Sequence, residues 1–596
     1  MTATDDAALP RGAHTDPSPT DASRPNVSRA DVDARAPVQA AASPRTVLET
    51  LLRQALDAAI ATGALPPLPD GATAEIDVAR PPAQTQADLA SSMALKLARP
   101  LRRAPAQIAA AIADAARALP GADATIASIE VANPGFLNVR LAPAFLERSI
   151  DAARAAGSAF GRTTVPGRRR VNVEFVSANP TGPLHIGNAR GAFVGDLLSR
   201  VLAAAGRDVT REYYFNDFGS QVTNLGASVL ALSEGREVPE DGYHGAYVHE
   251  LAATVPPEVA SEARASPDDA VAVVGRWASE RVRAGIEASL ERLGVRFDVW
   301  FTESTLHRDG WIERAIERLD AGGHLYEEGD ALWFRSTTFG DDRDRVIRRS
   351  NGAYTYFGAD IGYVIHKFDR GYDHLIYLWG ADHHGTVARV RNAAEAMGYD
   401  KAAVEMLLIA WVRFIRDGQE ISMSKRSGEF ITLDELLEEI GVDAARWYFA
   451  ARSYTSGIDF DIEAAKDPTA ANPVHYVRYA HARIASIVRK GAEVDLAPAA
   501  SLTGVLEGDD VAQGLAKEVL RLPDVVADAA LAEETQGITA YATELATVFH
   551  AFYRDRRVVD AEAPEVSRGR LALVDATRLA LANTLGLLGI SAPDSM

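Results

Sequence analysis

The sequence predicts a multidomain protein in which an α/β domain with a parallel sheet lies between an N-terminal α+β module and a C-terminal all-α helical bundle. Three observations support this prediction. The chain has 596 residues, which is too long for one hydrophobic core. Between residues 171 and 215 a strand, a glycine-containing loop, a helix and a second strand follow in the order of a βαβ unit. After Asp443, apolar residues recur at helical spacing almost to the end.

The composition excludes several classes of protein. Hydrophobic residues make up 47% of the chain and charged residues 24%, values that exclude a wholly disordered or fibrous protein. There is no cysteine, which excludes a disulfide framework, a thiolate nucleophile and every cysteine-ligated zinc site. No uninterrupted apolar run reaches membrane-spanning length, so no membrane association is expected. Because the formal net charge is −20, binding of nucleic acid requires a local basic surface.

The first 44 residues differ from the rest of the chain. They contain no Phe, Tyr, Trp or Ile and are rich in Ala, Pro, Asp and Ser. Such a segment cannot bury enough apolar surface to offset the entropy lost on ordering. Its aspartates and its lack of an apolar core region argue against a transit or signal peptide. We therefore expect a disordered tail over 1–44.

The segment 45–150 is predicted to be a small α+β domain. Residues 131–141 alternate, with Leu137 and Val139 on one face and Phe136 and Asn138 on the other, as in a half-buried strand. The remaining predicted elements are a helix over Val47–Thr62, a short strand over Ile76–Val78 and a helix over Ala87–Ala98.

The segment 151–440 is predicted to be the α/β domain, with a helical insertion at about 225–295. Its predicted elements are strands over Val171–Val176, Val209–Phe215 and Leu375–Trp379, and a helix from about Asn188 to Ala205. The proline-rich loop Ser177–Pro183 ends the first strand, because two prolines and a glycine cannot continue a hydrogen-bonded ladder. The segment 441–596 is expected to be all-α.

The first motif with chemical potential is His185-Ile186-Gly187-Asn188, at the predicted strand-to-helix turn. A helix N-terminus presents unpaired N–H groups and the positive end of its dipole, which suits a phosphate. Gly187 allows a ligand to approach the backbone closely, and His185 can donate to a phosphate oxygen. The alternative is an ordinary turn histidine beside a helix cap, since motifs this short also match by chance.

The second motif is Ser422-Met423-Ser424-Lys425-Arg426-Ser427-Gly428. It precedes a predicted helix in which Thr432 and Glu435 have the spacing of a capping box. Two adjacent cations among small hydroxyl residues can bind a polyphosphate and neutralise the charge that develops on it. The alternative is a solvated basic loop.

Taken together, the two motifs resemble the two signatures of the class I aminoacyl-tRNA synthetases. Three longer stretches, 173–188, 211–217 and 379–385, resemble those of the arginyl-tRNA synthetase family. The stretch 441–446 resembles the Asp-Ala-Leu-Arg motif of that family's anticodon-binding domain, with Ala445 in place of Leu. The resemblance covers about 45–596, and its motifs are long and correctly ordered.

The resemblance implies a Rossmann-type catalytic domain over 151–440, an N-terminal tRNA-binding domain over 45–150 and an anticodon-binding domain over 441–596. It also implies an enzyme that activates L-arginine with ATP, releases pyrophosphate and transfers arginine to the 3′ end of tRNA(Arg). No covalent enzyme intermediate is needed, because the arginine carboxylate attacks the α-phosphorus in line.

For ATP, the resemblance points to His185, Gly187, Asn188, Met423, Ser424 and Lys425, with His185, Asn188 and Lys425 as catalytic residues. The sequence departs from the class I pattern in two ways. Asn188 replaces the usual histidine, but an amide still donates a hydrogen bond. Ser422 replaces the usual first lysine, which leaves Lys425 as the sole motif lysine. Magnesium is expected to arrive with ATP.

For arginine, the resemblance points to Glu303, Tyr356 and Asp360, because a guanidinium pairs with carboxylates. Tyr356 and Asp360 are one helical turn apart, so both side chains can face one pocket. Asp360 alone is equally consistent with a helix N-cap. For the α-amino and carboxylate groups of the arginine substrate, the resemblance points to Ser177, Asn179 and His383. Glu174, on the polar face of the first strand, is a weaker candidate. No protein-bound zinc is expected around His383, since no thiolate exists.

For tRNA, the implied contacts are Phe136, Asn138, Tyr476, Tyr479, Arg483 and the terminal Met596. A second aromatic and basic cluster spans 552–557. Aromatic side chains interleaved with cations bind unpaired bases, although aromatics at helical spacing are more often core residues.

Other functions consistent with parts of the sequence are a sibling synthetase for another amino acid, a catalytically inactive tRNA-binding paralogue and a nucleotidyltransferase unrelated to tRNA. A different feature argues against each alternative. The paired carboxylates argue against a sibling synthetase, and the retained His185 and Lys425 argue against an inactive paralogue. The helical C-terminal domain argues against an unrelated nucleotidyltransferase. A cytoplasmic monomer is expected.

Overall fold

The computed structural model describes residues 43–82, 84–421 and 431–596. The predicted tail lies almost entirely outside this range, and so does the second motif with Met423, Ser424 and Lys425. The first described helix, α1 (Pro44–Ala61), begins where Ser43 Oγ accepts a hydrogen bond from Thr46 N at 3.1 Å. A serine cap followed by proline at the first helical position explains why the helix begins there.

The N-terminal domain packs its helices against a small antiparallel sheet. Its other elements are β1 (Leu89–Ser91), α2 (Met93–Leu101), α3 (Pro105–Ala118), β2 (Ile126–Ala132) and β3 (Phe136–Leu141). The sheet order is β1-β3-β2. The predicted alternation along β3 is confirmed, because Leu137 and Val139 are fully buried and Phe136 is 37% exposed. The stretch before it is not part of the same strand, since Asn133-Pro134-Gly135 turns the chain between β2 and β3.

Two predicted elements of this domain are wrong. Residues 76–78 form no strand, and the pairing there is a single bridge between Ala79 and Ala90. The predicted helix over 87–98 is instead β1 followed by α2. Tertiary pairing overrides the local pattern, because Asp88 N donates to Val139 O at 2.9 Å and the Asp88 carboxylate accepts from Leu141 N at 2.8 Å.

The central domain contains a five-stranded parallel sheet of order β11-β10-β4-β5-β6. Its strands are β4 (Arg170–Glu174), β5 (Asp208–Phe215), β6 (Val299–Thr302), β10 (His374–Gly380) and β11 (Val404–Ile409). Strand β4 pairs with β5 on one side and with β10 on the other, so the strand order reverses there. In such sheets ligands bind at the carboxyl ends of the strands beside the reversal point. This arrangement confirms the predicted parallel α/β fold.

Helices cover the sheet and lengthen its crossovers. They are α4 (Pro143–Ala156), α5 (Ala189–Ala204), α6 (Ser220–Ser233), α7 (Ala246–Ala253), α8 (Pro257–Ala265), α9 (Ala270–Arg292), α10 (Ser304–Arg308), α11 (Trp311–Ala321), α12 (Tyr356–Asp369) and α13 (His384–Ala396). Helices α6 and α9 touch at two glycines, because a Cβ on Gly226 would lie 2.2 Å from the carbonyl oxygen of Val271. An antiparallel sheet, with strands β7 (Leu325–Glu328), β8 (Ala331–Phe334) and β9 (Arg345–Arg348), was not foreseen.

A third three-stranded sheet, of order β13-β12-β14, lies in the sequence between the central domain and the helical domain. Its strands are β12 (Val412–Arg416), β13 (Gln419–Glu420) and β14 (Ile458–Asp461), and the helices beside them are α14 (Leu433–Ile440), α15 (Val442–Ala450) and α16 (Ile462–Lys466). The capping box that starts α14 is confirmed, since Glu435 N donates to Thr432 Oγ1 at 3.2 Å and Thr432 N donates to the Glu435 carboxylate at 2.7 Å. Strand β14 interrupts the region predicted to be entirely helical after Asp443.

The C-terminal region is the predicted helical bundle. It consists of α17 (Pro473–Ala492), α18 (Asp510–Val519), α19 (Leu522–Ala532), α20 (Gln536–Asp555) and α21 (Pro564–Leu588). Helix α21 is long and apolar enough to cross a membrane, with a mean hydropathy of 1.4 in its most apolar window. Because 61% of that window is buried inside the protein, α21 has the character of a bundle core helix.

Candidate active site

The first motif follows a tight turn at the end of β4. Val176 and Ser177 have φ values of +67° and +39°, in the left-handed region that a β-branched residue rarely adopts. Ser177 Oγ donates to the Glu174 carboxylate at 3.2 Å and accepts from Tyr214 N at 3.1 Å. The Tyr213 hydroxyl bonds both backbone groups of Ala178 at 3.0 Å. Side chains of β4 and β5 therefore fix the conformation of this turn.

The residues of the first motif form a compact turn before α5. His185 N donates to Asn188 Oδ1 at 3.2 Å, so the asparagine that replaces the usual histidine also holds the turn. Gly187 is exposed, and a Cβ there would lie 2.8 Å from the imidazole of His185. Only glycine leaves this ring in its observed position and keeps the backbone open to a ligand at the start of α5.

The chain that follows the second motif is hydrogen-bonded to the first motif. Leu433 N donates to Leu184 O at 2.9 Å, and Ile186 N donates to Ile431 O at 3.2 Å. On the other side of the second motif, Ile421 N donates to Phe414 O at 2.9 Å. The first described residues after the second motif therefore lie directly beside His185. The residues of the second motif themselves lie outside the described range.

Glu303 and Asp360 contribute to one electrostatic environment. Glu303 follows β6 and is 6% exposed, and burial raises the pKa of its carboxyl to about 7. Asp360 lies on α12, and burial together with the nearby Glu174 and Glu303 carboxylates raises the pKa of its carboxyl to about 7 against the opposing effect of Arg389. Burial and both carboxylates also raise the pKa of the Tyr214 hydroxyl. The three side chains thus surround a shared region that favours a cation.

The other predicted arginine residues occupy more open positions. Tyr356 is the first residue of α12 and is 66% exposed, and Asn179 is also exposed. His383 follows β10, its side chain is 56% exposed, and its Nε2 lies 3.6 Å from the Asp382 carboxylate. Asp360 is not a helix cap, because the cap of α12 is Thr355, whose side chain accepts from Gly358 N at 3.2 Å.

The sequence interpretation missed three residues close to this site. Tyr214 lies within the stretch 211–217 but is not among the predicted site residues, Lys367 is not predicted at all, and Glu174 is only a weaker candidate for the α-end of arginine. The signal available in the sequence was the presence of Glu174 and Glu212 near the ends of two adjacent central strands, where carboxylates are expensive to bury. A buried carboxylate needs a cation, and Lys367 lies seven residues after Asp360, on the same face of α12.

The predicted contacts for tRNA in the N-terminal domain lie together. Phe136 and Asn138 point to the same side of β3 and line a surface cavity of about 380 Å³, beside Arg80 and Asn133. A half-exposed aromatic ring next to amide and guanidinium donors suits an unpaired base.

In the helical domain, Tyr479, Arg483 and Met596 line a second cavity, of about 400 Å³, together with Tyr553. Arg483 donates to the Tyr479 hydroxyl at 2.7 Å, and its guanidinium carbon lies 4.6 Å from the centre of the Tyr553 ring. Tyr476 does not line this cavity, and its hydroxyl bonds Thr547 at 3.3 Å. Within the cluster at 552–557, Phe552 is fully buried and therefore belongs to the core.

One group of potential metal ligands is found in the described part of the chain, away from the residues above. The ligand atoms of His374, Glu405 and Glu533 lie within 4.8 Å of one another, at the start of β10, on β11 and after α19. Burial and the Glu405 carboxylate raise the pKa of the Glu533 carboxyl to about 8. His374 Nε2 lies 3.3 Å from the Glu405 carboxylate and 3.6 Å from that of Glu533, so the three side chains contact one another directly.

Three protein-family models match the chain. The arginyl tRNA synthetase N terminal domain matches residues 46–141, and the DALR anticodon binding domain matches 477–596. The catalytic domain of the class I tRNA synthetases (R) matches 152–240 and 272–486. The gap between its two matched segments contains α7 and α8.

Curated relatives and a solved structure agree with these models. The chain is 44% identical over 524 residues to an arginine–tRNA ligase of Moorella thermoacetica, which covers 86% of this chain and 92% of the relative. It is 42% identical over 522 residues to that of Bacillus subtilis, covering 87% and 93%. The Thermus thermophilus arginyl-tRNA synthetase has a similar fold, with a TM-score of 0.73, 24% identity and coverage of 93% of this chain and 100% of that one. The chain therefore belongs to the arginyl-tRNA synthetase family, whose reaction is the ATP-dependent ligation of arginine to tRNA.

Proposed function

We propose that this chain activates arginine in the cleft at the carboxyl ends of β4, β5 and β10, and that Glu303 and Asp360 bind the guanidinium group. The observation that supports this most strongly is the presence of these two carboxyls around Tyr214, each with a pKa near 7. A guanidinium remains charged at any working pH and offers its donors in a planar fork. It can therefore pair with both carboxylates and offset the cost of ionising them.

The α-amino and carboxylate ends of arginine are assigned to the residues at the opening of the cleft. Ser177 and Asn179 belong to the turn after β4, and His383 follows β10. Tyr356, one turn before Asp360, is also assigned to arginine. This orientation directs the carboxylate of arginine towards the first motif, where the phosphates of ATP are proposed to bind.

ATP enters as its magnesium complex and is bound by the two motifs. His185, Gly187 and Asn188 supply donors at the start of α5. Met423, Ser424 and Lys425 are assigned to ATP by the family resemblance. The bonds between 431–433 and 184–186 support this assignment, because they hold the chain that follows the motif beside His185. The lysine is proposed to neutralise charge that grows on the phosphates during the reaction.

The chemistry requires positioning and charge stabilisation only. The arginine carboxylate oxygen attacks the α-phosphorus, the bond to the bridging oxygen of pyrophosphate breaks, and arginyl-adenylate forms. A hydroxyl at the 3′ end of tRNA(Arg) then attacks the activated carbonyl and releases AMP. No protein nucleophile takes part in either step.

The domains 45–150 and 441–596, which precede and follow the catalytic domain 151–440 in the sequence, are proposed to bind tRNA. Phe136 and Asn138 are assigned to one contact, and Tyr476, Tyr479, Arg483 and Met596 to the other. The cavities that Phe136 and Arg483 line support this assignment, because each combines an aromatic ring with a guanidinium. We also propose that the enzyme acts as a monomer in the cytoplasm and holds no zinc.

A charging assay tests the activity. The purified chain is incubated with ATP, magnesium, tRNA and each of the twenty amino acids in turn, and acid-stable labelling of tRNA is counted. Arginine alone should be attached. Labelling by another amino acid would identify a sibling synthetase, whereas tRNA binding without any labelling would identify an inactive paralogue.

A further inference from the structure

A row of three side chains crosses the central strands under the candidate arginine site. Tyr377 on β10 is paired in register with Glu174 on β4, and Glu174 is paired with Glu212 on β5. Side chains at paired positions of parallel strands leave the same face of the sheet. All three are at most 4% exposed. The row therefore places two carboxylates and a phenol in the interior, where each carboxylate requires compensation.

Lys367 supplies the charge that Glu174 requires. It lies on α12, its side chain is fully buried, and its Nζ donates to Glu174 Oε2 at 2.7 Å. The same ammonium group lies 3.8 Å from the centre of the Tyr377 ring and 4.2 Å from that of Tyr363. Such a position holds the lysine by cation–π contacts on two sides and leaves Glu174 as its carboxylate partner.

Glu212 has a cation of its own. Both terminal nitrogens of the Arg370 guanidinium donate to the Glu212 carboxylate, Nη1 at 3.0 Å. The Tyr363 hydroxyl and Asn172 Nδ2 complete its hydrogen bonds, the latter at 3.0 Å. The two ion pairs are therefore adjacent and chemically similar. Of the two glutamates, Glu174 is the one that also accepts a hydrogen bond from the turn after β4.

The second carboxylate oxygen of Glu174 makes the contact with this turn. Glu174 Oε1 accepts from Ser177 Oγ at 3.2 Å, and Ser177 Oγ accepts from Tyr214 N at 3.1 Å. Glu174 is 4% exposed, and each of its carboxylate oxygens accepts one hydrogen bond, one from Lys367 and one from Ser177. The turn that it restrains has positive φ at Val176 and Ser177, a conformation that persists only where the surrounding contacts enforce it.

We propose that Lys367 is a positioning residue that acts through Glu174 to hold the Ser177–Asn179 turn in the conformation that binds the α-amino and carboxylate ends of arginine. The proposal rests on the function assigned above and adds a residue that touches no substrate. The proposal makes the two ends of arginine depend on different residues. The guanidinium is bound by Glu303 and Asp360, whereas binding of the α-amino and carboxylate groups depends on the turn.

The test replaces the buried pair with apolar side chains of similar size, Glu174→Leu with Lys367→Met. Such a replacement of a buried ion pair commonly preserves the fold. Affinities for arginine, for n-butylguanidine, which lacks the α-amino and carboxyl groups, and for ATP are measured by calorimetry. We expect the preference for arginine over n-butylguanidine, taken as the ratio of the two affinities, to fall at least tenfold, with ATP affinity nearly unchanged.

The neighbouring pair provides the matched control. Glu212→Leu with Arg370→Met should change the melting temperature without changing the preference for arginine over n-butylguanidine. A second variant, Glu174→Gln, guards against misfolding of the first. It keeps the volume but has one acceptor oxygen where Glu174 uses two, so it should also reduce the preference.

An unchanged preference, within threefold of the parent, in either folded variant at Glu174 overturns the proposal. An equal loss in the control pair also overturns it, because the effect is then a general consequence of disturbing the sheet. If the parent itself binds arginine no better than n-butylguanidine, the assigned function fails instead, and this outcome is visible before any variant is compared.

Discussion

Arg446 and Asp196 form a buried ion pair between the helical and catalytic parts of the chain. Arg446 Nη1 lies 2.8 Å from the Asp196 carboxylate, and the two side chains are 2% and 0% exposed. The same guanidinium donates to the carbonyl oxygens of Leu293 at 2.9 and 3.0 Å and of Leu588 at 3.0 Å. The arginine that ends the motif at 441–446 therefore joins α15 to α5, to the loop after α9 and to the end of α21.

Replacing this arginine should destabilise the protein without a direct effect on substrate contacts. Arg446→Met leaves the carbonyls of Leu293 and Leu588 without their donor, although Arg200 still pairs with Asp196 at 2.8 Å. Breaking a buried charged network in this way typically costs about 3–5 kcal/mol. Thermal melting checks the prediction, with Arg413→Ala as the control. Arg413 pairs with Asp459 on the surface, where an ion pair contributes little, so its loss should hardly change the melting temperature. Equal melting temperatures for the two variants would contradict the structural role of Arg446.

Arginine affinity should depend on pH near neutrality. In the free protein the pKa values of the Glu303 and Asp360 carboxyls are both raised to about 7. A bound guanidinium lowers both, so binding releases protons around pH 7, and affinity falls as the pH is lowered below that value. The expected loss is up to about tenfold per pH unit for each carboxyl that must ionise. Calorimetry in two buffers with different ionisation enthalpies measures the protons released. An affinity that stays constant from pH 6 to pH 8 would rule out this account of the pocket.

The same raised pKa values predict a cost in stability. The folded protein holds the Glu303 proton up to about pH 7, whereas the unfolded chain loses it near 4.5. Between these values the folded state binds more protons, so the free energy of unfolding contributed by this group falls as the pH rises through the window. Glu303→Gln should remove that cost and stabilise the ligand-free protein at pH 8 by up to about 3 kcal/mol, with no gain at pH 4.5. Melting curves at both pH values check this, and a variant that is less stable at pH 8 would contradict it.

Lys425 should act in the transition state. Lys425→Ala is expected to lower the turnover of arginine activation at least ~100-fold, because the loss of one partner of developing charge costs about 2.7–4 kcal/mol. The affinity for arginine should change little. Steady-state kinetics and calorimetry on the same preparation separate the two quantities, and an unchanged kcat would show that the lysine is not part of the reaction.

Much of the fold could be predicted from local patterns. The alternation at Leu137 and Val139, the capping box at Thr432 and Glu435, and the helical spacing of the C-terminal region were all correct, because each depends on neighbours a few residues away. The family and its reaction were also identified correctly from the motifs. The strand at 89–91 was missed because its partner, β3, lies almost 50 residues further along the chain.

The environment of the site was harder to predict for the same reason. Lys367 and Glu174 are 193 residues apart, and nothing in either local pattern indicates that they meet. Phe552 has the spacing of an RNA-contacting aromatic but is fully buried, whereas Tyr553, next to it, lines the cavity with Arg483. Which side of a helix faces the core is decided by the other helices, so residue types alone could not separate these two rings.

The most direct test of the central claim is the binding of arginine and ATP to Asp360→Asn. The amide keeps the shape of the side chain but turns one acceptor oxygen into a donor that faces the guanidinium, which typically costs about 3–5 kcal/mol, or ~10²–10³-fold or more in arginine Kd. Asp459→Asn, at an exposed ion pair, is the matched control. We predict that calorimetry will show this loss for arginine with ATP affinity unchanged. An arginine affinity within about threefold of the parent, less than ~1 kcal/mol, would contradict the account and place the guanidinium site elsewhere.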